Sequence, residues 1–274
     1  MLTPSLHSPE NRAAERSMWV WIGASLVGAL MCWWIVADHF ALMRPMDQYV
    51  TLKINQLASQ NAVINHAIYV AGEAKVLTGA LMIGLVWGCW FNDKAEAARK
   101  RLLLGLGAML ITAMFIPLLK ASLPLRLRPM YDPDSGFQPL SGVDPVLTHN
   151  WSSFPNDHTA LYFALVVIIW QRSRWLGLLA LVSAVYGVLP RVYLGLHYFS
   201  DIAVGATLGI AFVLMFQRFG PHILARRGVA WEHRRPGLFY GVGFLLSLEL
   251  ATRFEDIREI GLGLPNVLQQ FGIG

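Results

Sequence analysis

Six apolar stretches, near 17–38, 75–91, 102–119, 158–171, 175–194 and 201–217, each approach the length an α-helix needs to cross a bilayer. In hydrocarbon the backbone has no water to bond with, so such segments satisfy themselves as helices. The expected fold is all-α: a polytopic membrane helix bundle with six core transmembrane helices. A seventh segment, 237–250, contains glycines and Glu249. It spans, re-enters or lies on the surface.

Composition agrees with this reading. The chain is 55% hydrophobic and only 14% charged, whereas a soluble domain carries about a quarter charged residues. The net charge of +5 could suggest nucleic acid. However, no basic block interleaved with aromatics is present, and the arginines flank apolar segments, so no nucleic-acid partner is expected. Cys32 and Cys89 lie in or at the end of apolar stretches and offer neither a disulfide framework nor metal-ligand spacing. The polar residues 1–16 precede an apolar stretch too long for a signal-peptide core, which reads as a retained anchor.

Orientation follows from basic residues. Lys94, Arg99, Lys100 and Arg101 occupy one connection, and Arg172, Arg174, Arg218, Arg226, Arg227, Arg234 and Arg235 flank later ends. The positive-inside rule assigns these to the cytoplasm and puts 39–74, 120–157 and 191–201 on the opposite face. Residues 46–70 have helical apolar spacing (Tyr49, Leu52, Leu57, Ile64, Ile68) and predict an amphipathic helix, either on the outer interface or packed against the protein. The turn-rich stretch 130–150 predicts a loop over the outer face.

Three clusters on that face carry chemistry. In KASLPLRLRP, Lys120 is an interface anchor or a phosphate cation, and Arg128 sits before Pro129 where its planar guanidinium can grip phosphate oxygens. SSFPNDHT, 152–159, has the composition of a helix start, whose backbone N–H groups and dipole favour an anion. His158 in its first turn can give a proton to a departing oxygen. In PRVYLGLHYFSD, Arg191 ends a long apolar run and needs an anionic partner. His197 and Asp201 are four apart, so on a helix they share a face and the carboxylate can orient the imidazole.

Together these residues resemble the type 2 phosphatidic acid phosphatase superfamily of membrane lipid phosphatases. That family's pattern is Lys, six residues, Arg-Pro; then Pro-Ser-Gly-His; then Ser-Arg, five residues, His, three residues, Asp. Arg191, His197 and Asp201 reproduce the third element, and Pro155 with His158 frames the second. Three departures stand out. Seven residues separate Lys120 from Arg128, Asn156-Asp157 replaces Ser-Gly, and Pro190 replaces Ser. Some undecaprenyl-diphosphate phosphatases and a lipid A phosphotransferase of the family share the Phe-Pro-x-Asp-His form seen at 154–158.

The resemblance implies that His197 attacks phosphorus, Asp201 orients it, and His158 serves as acid and then base. Lys120, Arg128, Arg191, Asn156 and Asp157 are implied to bind the phosphate, with no metal and no cofactor. It also implies a bacterial inner-membrane enzyme acting on a lipid phosphate, undecaprenyl diphosphate first among them, on the periplasmic or extracellular side. The alternatives are a phosphotransferase to a glycolipid and a silent phospholipid-binding protein. The expected organisation is one membrane domain, 1–274: a cytoplasmic segment at 1–16, a six-helix catalytic core at 17–217 and a tail at 218–274.

Overall fold

The computed structural model describes residues 40–58, 61–73, 76–141 and 151–251. The first expected span, 17–38, lies outside them, as do 142–150 and 252–274. Every described regular element is helical. The helices are α1 (Phe40–Leu57), α2 (Ala62–Glu73), α3 (Leu81–Asn92, preceded by a π-helical turn at Val76–Ala80), α4 (Glu96–Ser122), α5 (Asp157–Trp170), α6 (Arg174–Tyr193), α7 (Phe199–Phe219), α8 (His222–Arg234) and α9 (Pro236–Ala251).

Helices α4, α6 and α7 are long and apolar enough to cross a membrane. At 27 residues α4 measures about 40 Å. The outward face of α6 exposes Leu178, Val182, Val185 and Leu189 at helical spacing. So wide an apolar exterior suits lipid rather than water. The chain is an integral membrane protein.

Helix α5 sits at the centre, packed on α4, α6 and α7. It is apolar all round and buried along most of its length, including Ala160, Ala164, Ile168 and Ile169. Its contact with α7 depends on Gly205 and Gly209, four residues apart. A Cβ at Gly205 would lie 2.3 Å from the Asn156 carbonyl oxygen, and one at Gly209 would lie 2.0 Å from that of Ala160. The two backbones approach this closely only because both side chains are hydrogen.

One element differs from expectation, and one open alternative gains a position. Residues 46–70 divide between α1 and α2, and the apolar residues of that region point outward: Tyr49, Leu57 and Ile64 are exposed, while Asp47, Thr51 and Asn65 are buried. The polar stripe therefore faces the protein. Beyond α7, where the sequence left spanning, re-entry and a surface position open for 237–250, the amphipathic α8 and the apolar α9 pack back onto the bundle. Arg99 of α4 bonds to Glu232 of α8 at 2.6 Å, and Tyr240 of α9 donates to the same carboxylate at 2.6 Å. Arg99 also lies over the Trp90 ring of α3, 4.9 Å from its centre.

The short connections 93–95, 171–173 and 194–198 reverse the chain between α3 and α4, α5 and α6, and α6 and α7. Asp93, which contacts Arg172, lies at one end of the bundle with Glu96, Arg99 and Glu232. The loops that follow α4, precede α5 and join α6 to α7 gather at the other end.

Candidate active site

Three loops interlock at that end through their backbones. Leaving α4, residues 124–128 form no regular element and alternate in burial from Leu125 to Arg128; the Ser153 N–H donates to the Arg126 carbonyl at 3.0 Å, and the Met130 N–H to that of Gly195 at 3.0 Å. The Asn156 N–H donates to the Asp201 carbonyl, again at 3.0 Å. Each loop thus bonds to another, which fixes the side chains they carry.

His197 is placed by the way α6 ends. Gly195 adopts φ +68°, a conformation that costs glycine little. The chain can then turn so that the Leu196 and His197 N–H groups both donate to the Arg191 carbonyl, at 2.8 and 3.2 Å. His197 is buried, 1% exposed. Its Nδ1 lies 2.9 Å from the Ser153 carbonyl oxygen. A carbonyl only accepts, so Nδ1 carries the proton and the neutral ring keeps its lone pair on Nε2. Burial pushes the His197 pKa down to about 4; Asp201 opposes that shift, and the positive charges of Lys120 and Arg128 add to it. The ring is a neutral base at physiological pH.

Asp201 stands 3.6 Å from His197 Nδ1. The two do not share a helix as their spacing suggests: α7 begins at Phe199, so His197 precedes it and Asp201 sits in its first turn. The Asp201 carboxylate accepts from the Tyr198 N–H at 2.8 Å and from Arg126 at 2.5 Å. Ser153 is the nearer acceptor for the imidazole, with Asp201 behind it as a fixed negative charge.

The second cluster opens α5. Asn156 caps that helix, its side-chain oxygen accepting from the Thr159 N–H at 3.0 Å. The Asn156 N–H is committed to Asp201, so what this residue can offer a phosphate is its side-chain amide. Its Nδ2 is buried without a hydrogen-bond partner. Asp157 lies 3.4 Å from Lys120 Nζ and 3.0 Å from His158 Nδ1. Its carboxylate, expected beside a phosphate, lies between the lysine and the histidine.

Cations complete the site. Lys120 is in the last turn of α4, and Arg191 is buried in the last turn of α6. Burial lowers the Arg128 pKa from its ordinary value, and the neighbouring charge of Arg191 lowers it further. Arg128 Nε is buried with no hydrogen-bond partner. Two guanidinium groups near enough to repel each other, one with an unsatisfied donor, make a receptor for a multiply charged oxyanion.

Four participants were not singled out in the sequence: Asp47 lies outside the three clusters, and Arg126, Ser153 and Ser200 lie inside them. Arg126, 9% exposed, ion-pairs with both Asp201 and Asp47, and Ser200 bonds to both Arg126 and Asp47. Ser153 serves His197 through its carbonyl. A signal for Arg126 is present in LRLR: in an extended segment alternate residues share a face. Leu125 and Leu127 are exposed, while the arginines turn inward.

The PAP2 superfamily pattern matches residues 102–223, which contain all eight candidate residues. Three relatives are similar over most of their lengths. Lipid A 1-diphosphate synthase of Escherichia coli (strain K12) is 26% identical over 210 residues, 70% of this chain and 85% of that protein. The bacitracin transport permease protein BcrC of Bacillus licheniformis is 27% identical over 158 residues, 57% of this chain and 72% of that one. The E. coli protein named "Putative undecaprenyl-diphosphatase YbjG" is 28% identical over 176 residues, 62% and 81% of the two chains.

Proposed function

This chain carries a PAP2 superfamily domain, and from that premise we propose that it is a membrane enzyme that hydrolyses a lipid diphosphate through a phosphohistidine at His197. The observation that carries the reading is the histidine itself. It is buried, its Nδ1 is held by the Ser153 carbonyl, and it feels the charge of Lys120 and Arg128. A neutral, oriented imidazole beside clustered cations is what attack on a phosphoryl group requires.

Lys120, Arg128 and Arg191 hold the phosphoryl oxygens and offset their charge. The His197 Nε2 lone pair forms the bond to phosphorus as the bond to the leaving oxygen breaks, and His158 delivers the proton that oxygen takes. The ring, now bonded at Nε2 and still protonated at Nδ1, is cationic, and Asp201 balances it. Water then attacks, giving its proton to His158 and releasing phosphate. An acceptor hydroxyl or phosphate in place of water makes the same chemistry a transfer.

A diphosphate is favoured because two relatives have names describing that group on a lipid, one an undecaprenyl-diphosphatase and one a lipid A diphosphate synthase. We place the site on the outer face of a bacterial inner membrane, since the basic connections collect at the opposite end of the bundle. The transfer reading has specific support in the first of the relatives above, over 85% of whose length the likeness extends.

The deciding assay measures phosphate release from undecaprenyl diphosphate in detergent with EDTA present. Native protein should turn over, and His197→Ala should lose at least about 1,000-fold. Release that needs an added glycolipid acceptor would convert the reading to the transferase. No release from any lipid phosphate would sink it.

A further inference from the structure

Asp47 is 1% exposed and lies on α1, more than fifty residues before the PAP2 match begins. One of its oxygens accepts from the Ser200 N–H at 2.9 Å. The other accepts from the Ser200 hydroxyl and from Arg126, both at 2.6 Å. Arg126 in turn reaches Asp201 at 2.5 Å, with its guanidinium 4.3 Å from the centre of the Tyr198 ring. The chain of charge runs Asp47, Arg126, Asp201, His197.

The signs along this chain matter more than the contacts. Two buried carboxylates share one guanidinium, so the group carries a net negative charge beside a histidine that is neutral at rest. An uncompensated buried charge is costly. Here the cost falls when the imidazole becomes cationic, which happens when Nε2 bonds to phosphorus. Without Asp47, Arg126 would neutralise Asp201 alone, and the net negative charge behind the imidazole would be lost. Lys120 and Arg128 act on His197 in the opposite sense.

We propose that Asp47 is a positioning residue for the phosphoryl-transfer step, sharing Arg126 with Asp201 so that a net negative charge remains behind His197 for its cationic, phosphorylated form. This rests on the reading of His197 as nucleophile. Asp47 also ties α1 to the start of α7, and a purely structural tie would act on every property of the site alike.

The test compares two inhibitors on the native protein and Asp47→Asn. Orthovanadate mimics the phosphoryl transition state and bonds to the nucleophile; inorganic phosphate occupies the same cations without that bond. Asp47→Asn should lower kcat by about 10- to 100-fold and weaken vanadate by a similar factor. The KM and the inhibition constant for phosphate should stay within about two-fold. Ser200→Ala, which removes a shared hydroxyl but no charge, should leave the vanadate-to-phosphate ratio unchanged.

That ratio does not depend on how much protein folds. If Asp47→Asn gives none, Asp47→Ser removes the same charge with a smaller side chain. An unchanged ratio in the neutral variant would overturn the proposal, whether or not turnover falls. If His197→Ala retains native turnover, the functional reading itself has failed. A dead His197→Ala with an unchanged ratio in Asp47→Asn defeats the Asp47 inference alone.

Discussion

His197 must hold a lone pair to attack, so protonation silences it, and activity should fall as pH falls through its folded-state pKa. Burial has moved that value to about 4, whereas an unshifted histidine would lose half its activity near pH 6.5. The acid limb of kcat/KM should therefore lie well below pH 6. Lys120→Ala removes a positive charge that depresses the value, and a pH–rate profile should show the limb shifted toward neutrality. A limb that stays in place would mean that Lys120 does not act on His197. At this scale the sequence is legible wherever residue type carries the chemistry: the spacing of Arg191, His197 and Asp201, and of Pro155 and His158, marks residues that the fold does bring together. It is silent where function lies in a backbone atom, as with the Ser153 carbonyl. Nor does it show the second task of a side chain, as when the Asn156 oxygen caps α5 and Asp157 pairs with Lys120.

Helices were legible from their apolar runs, because lipid leaves the backbone little choice. The stretches 158–171 and 175–194 coincide with α5 and α6 to within a residue at each end. The opening turn of α1 and the whole of α8 were less legible, since an amphipathic pattern does not say which face the protein covers. In α1 the polar face is buried, because the site end of the bundle offers Arg126 and Ser200 as partners for Asp47. In α8 the buried Glu232 is matched by Arg99 and Tyr240. Glu232→Ala would leave the Arg99 charge buried and unpaired, at a cost of about 3–5 kcal/mol. Thermal unfolding in detergent should fall by several degrees or more. Pairing Glu232→Leu with Arg99→Met, which removes both charges, should recover much of the loss. A double variant no more stable than Glu232→Ala would show that the ion pair does not hold α8 to the core.

At the scale of the whole molecule, the proposed sidedness gives the short central helix a physical meaning. With 14 residues α5 extends about 21 Å, against about 30 Å for a hydrocarbon core. If the basic connections around Arg172 lie at the cytoplasmic interface, the start of α5 stops short of the outer interface. His158 would then work at a depth where the lipid's phosphate must sink slightly below the head groups, and the inward-turned cations Lys120, Arg128 and Arg191 would repay that descent. Topology is the premise of this picture. A reporter fused after Gly220, where α7 meets α8, should read cytoplasmic. The helix α9 then runs back beside α3: Tyr240 accepts from Trp90 near its start, and Ser247 accepts from Trp87 further along. A reporter after Gly274 should accordingly read on the side of the active site. A cytoplasmic signal there would make α9 re-entrant and leave the site's placement intact. An outer signal after Gly220 would invert the bundle and place His197 in the cytoplasm, against a substrate presented from the inside.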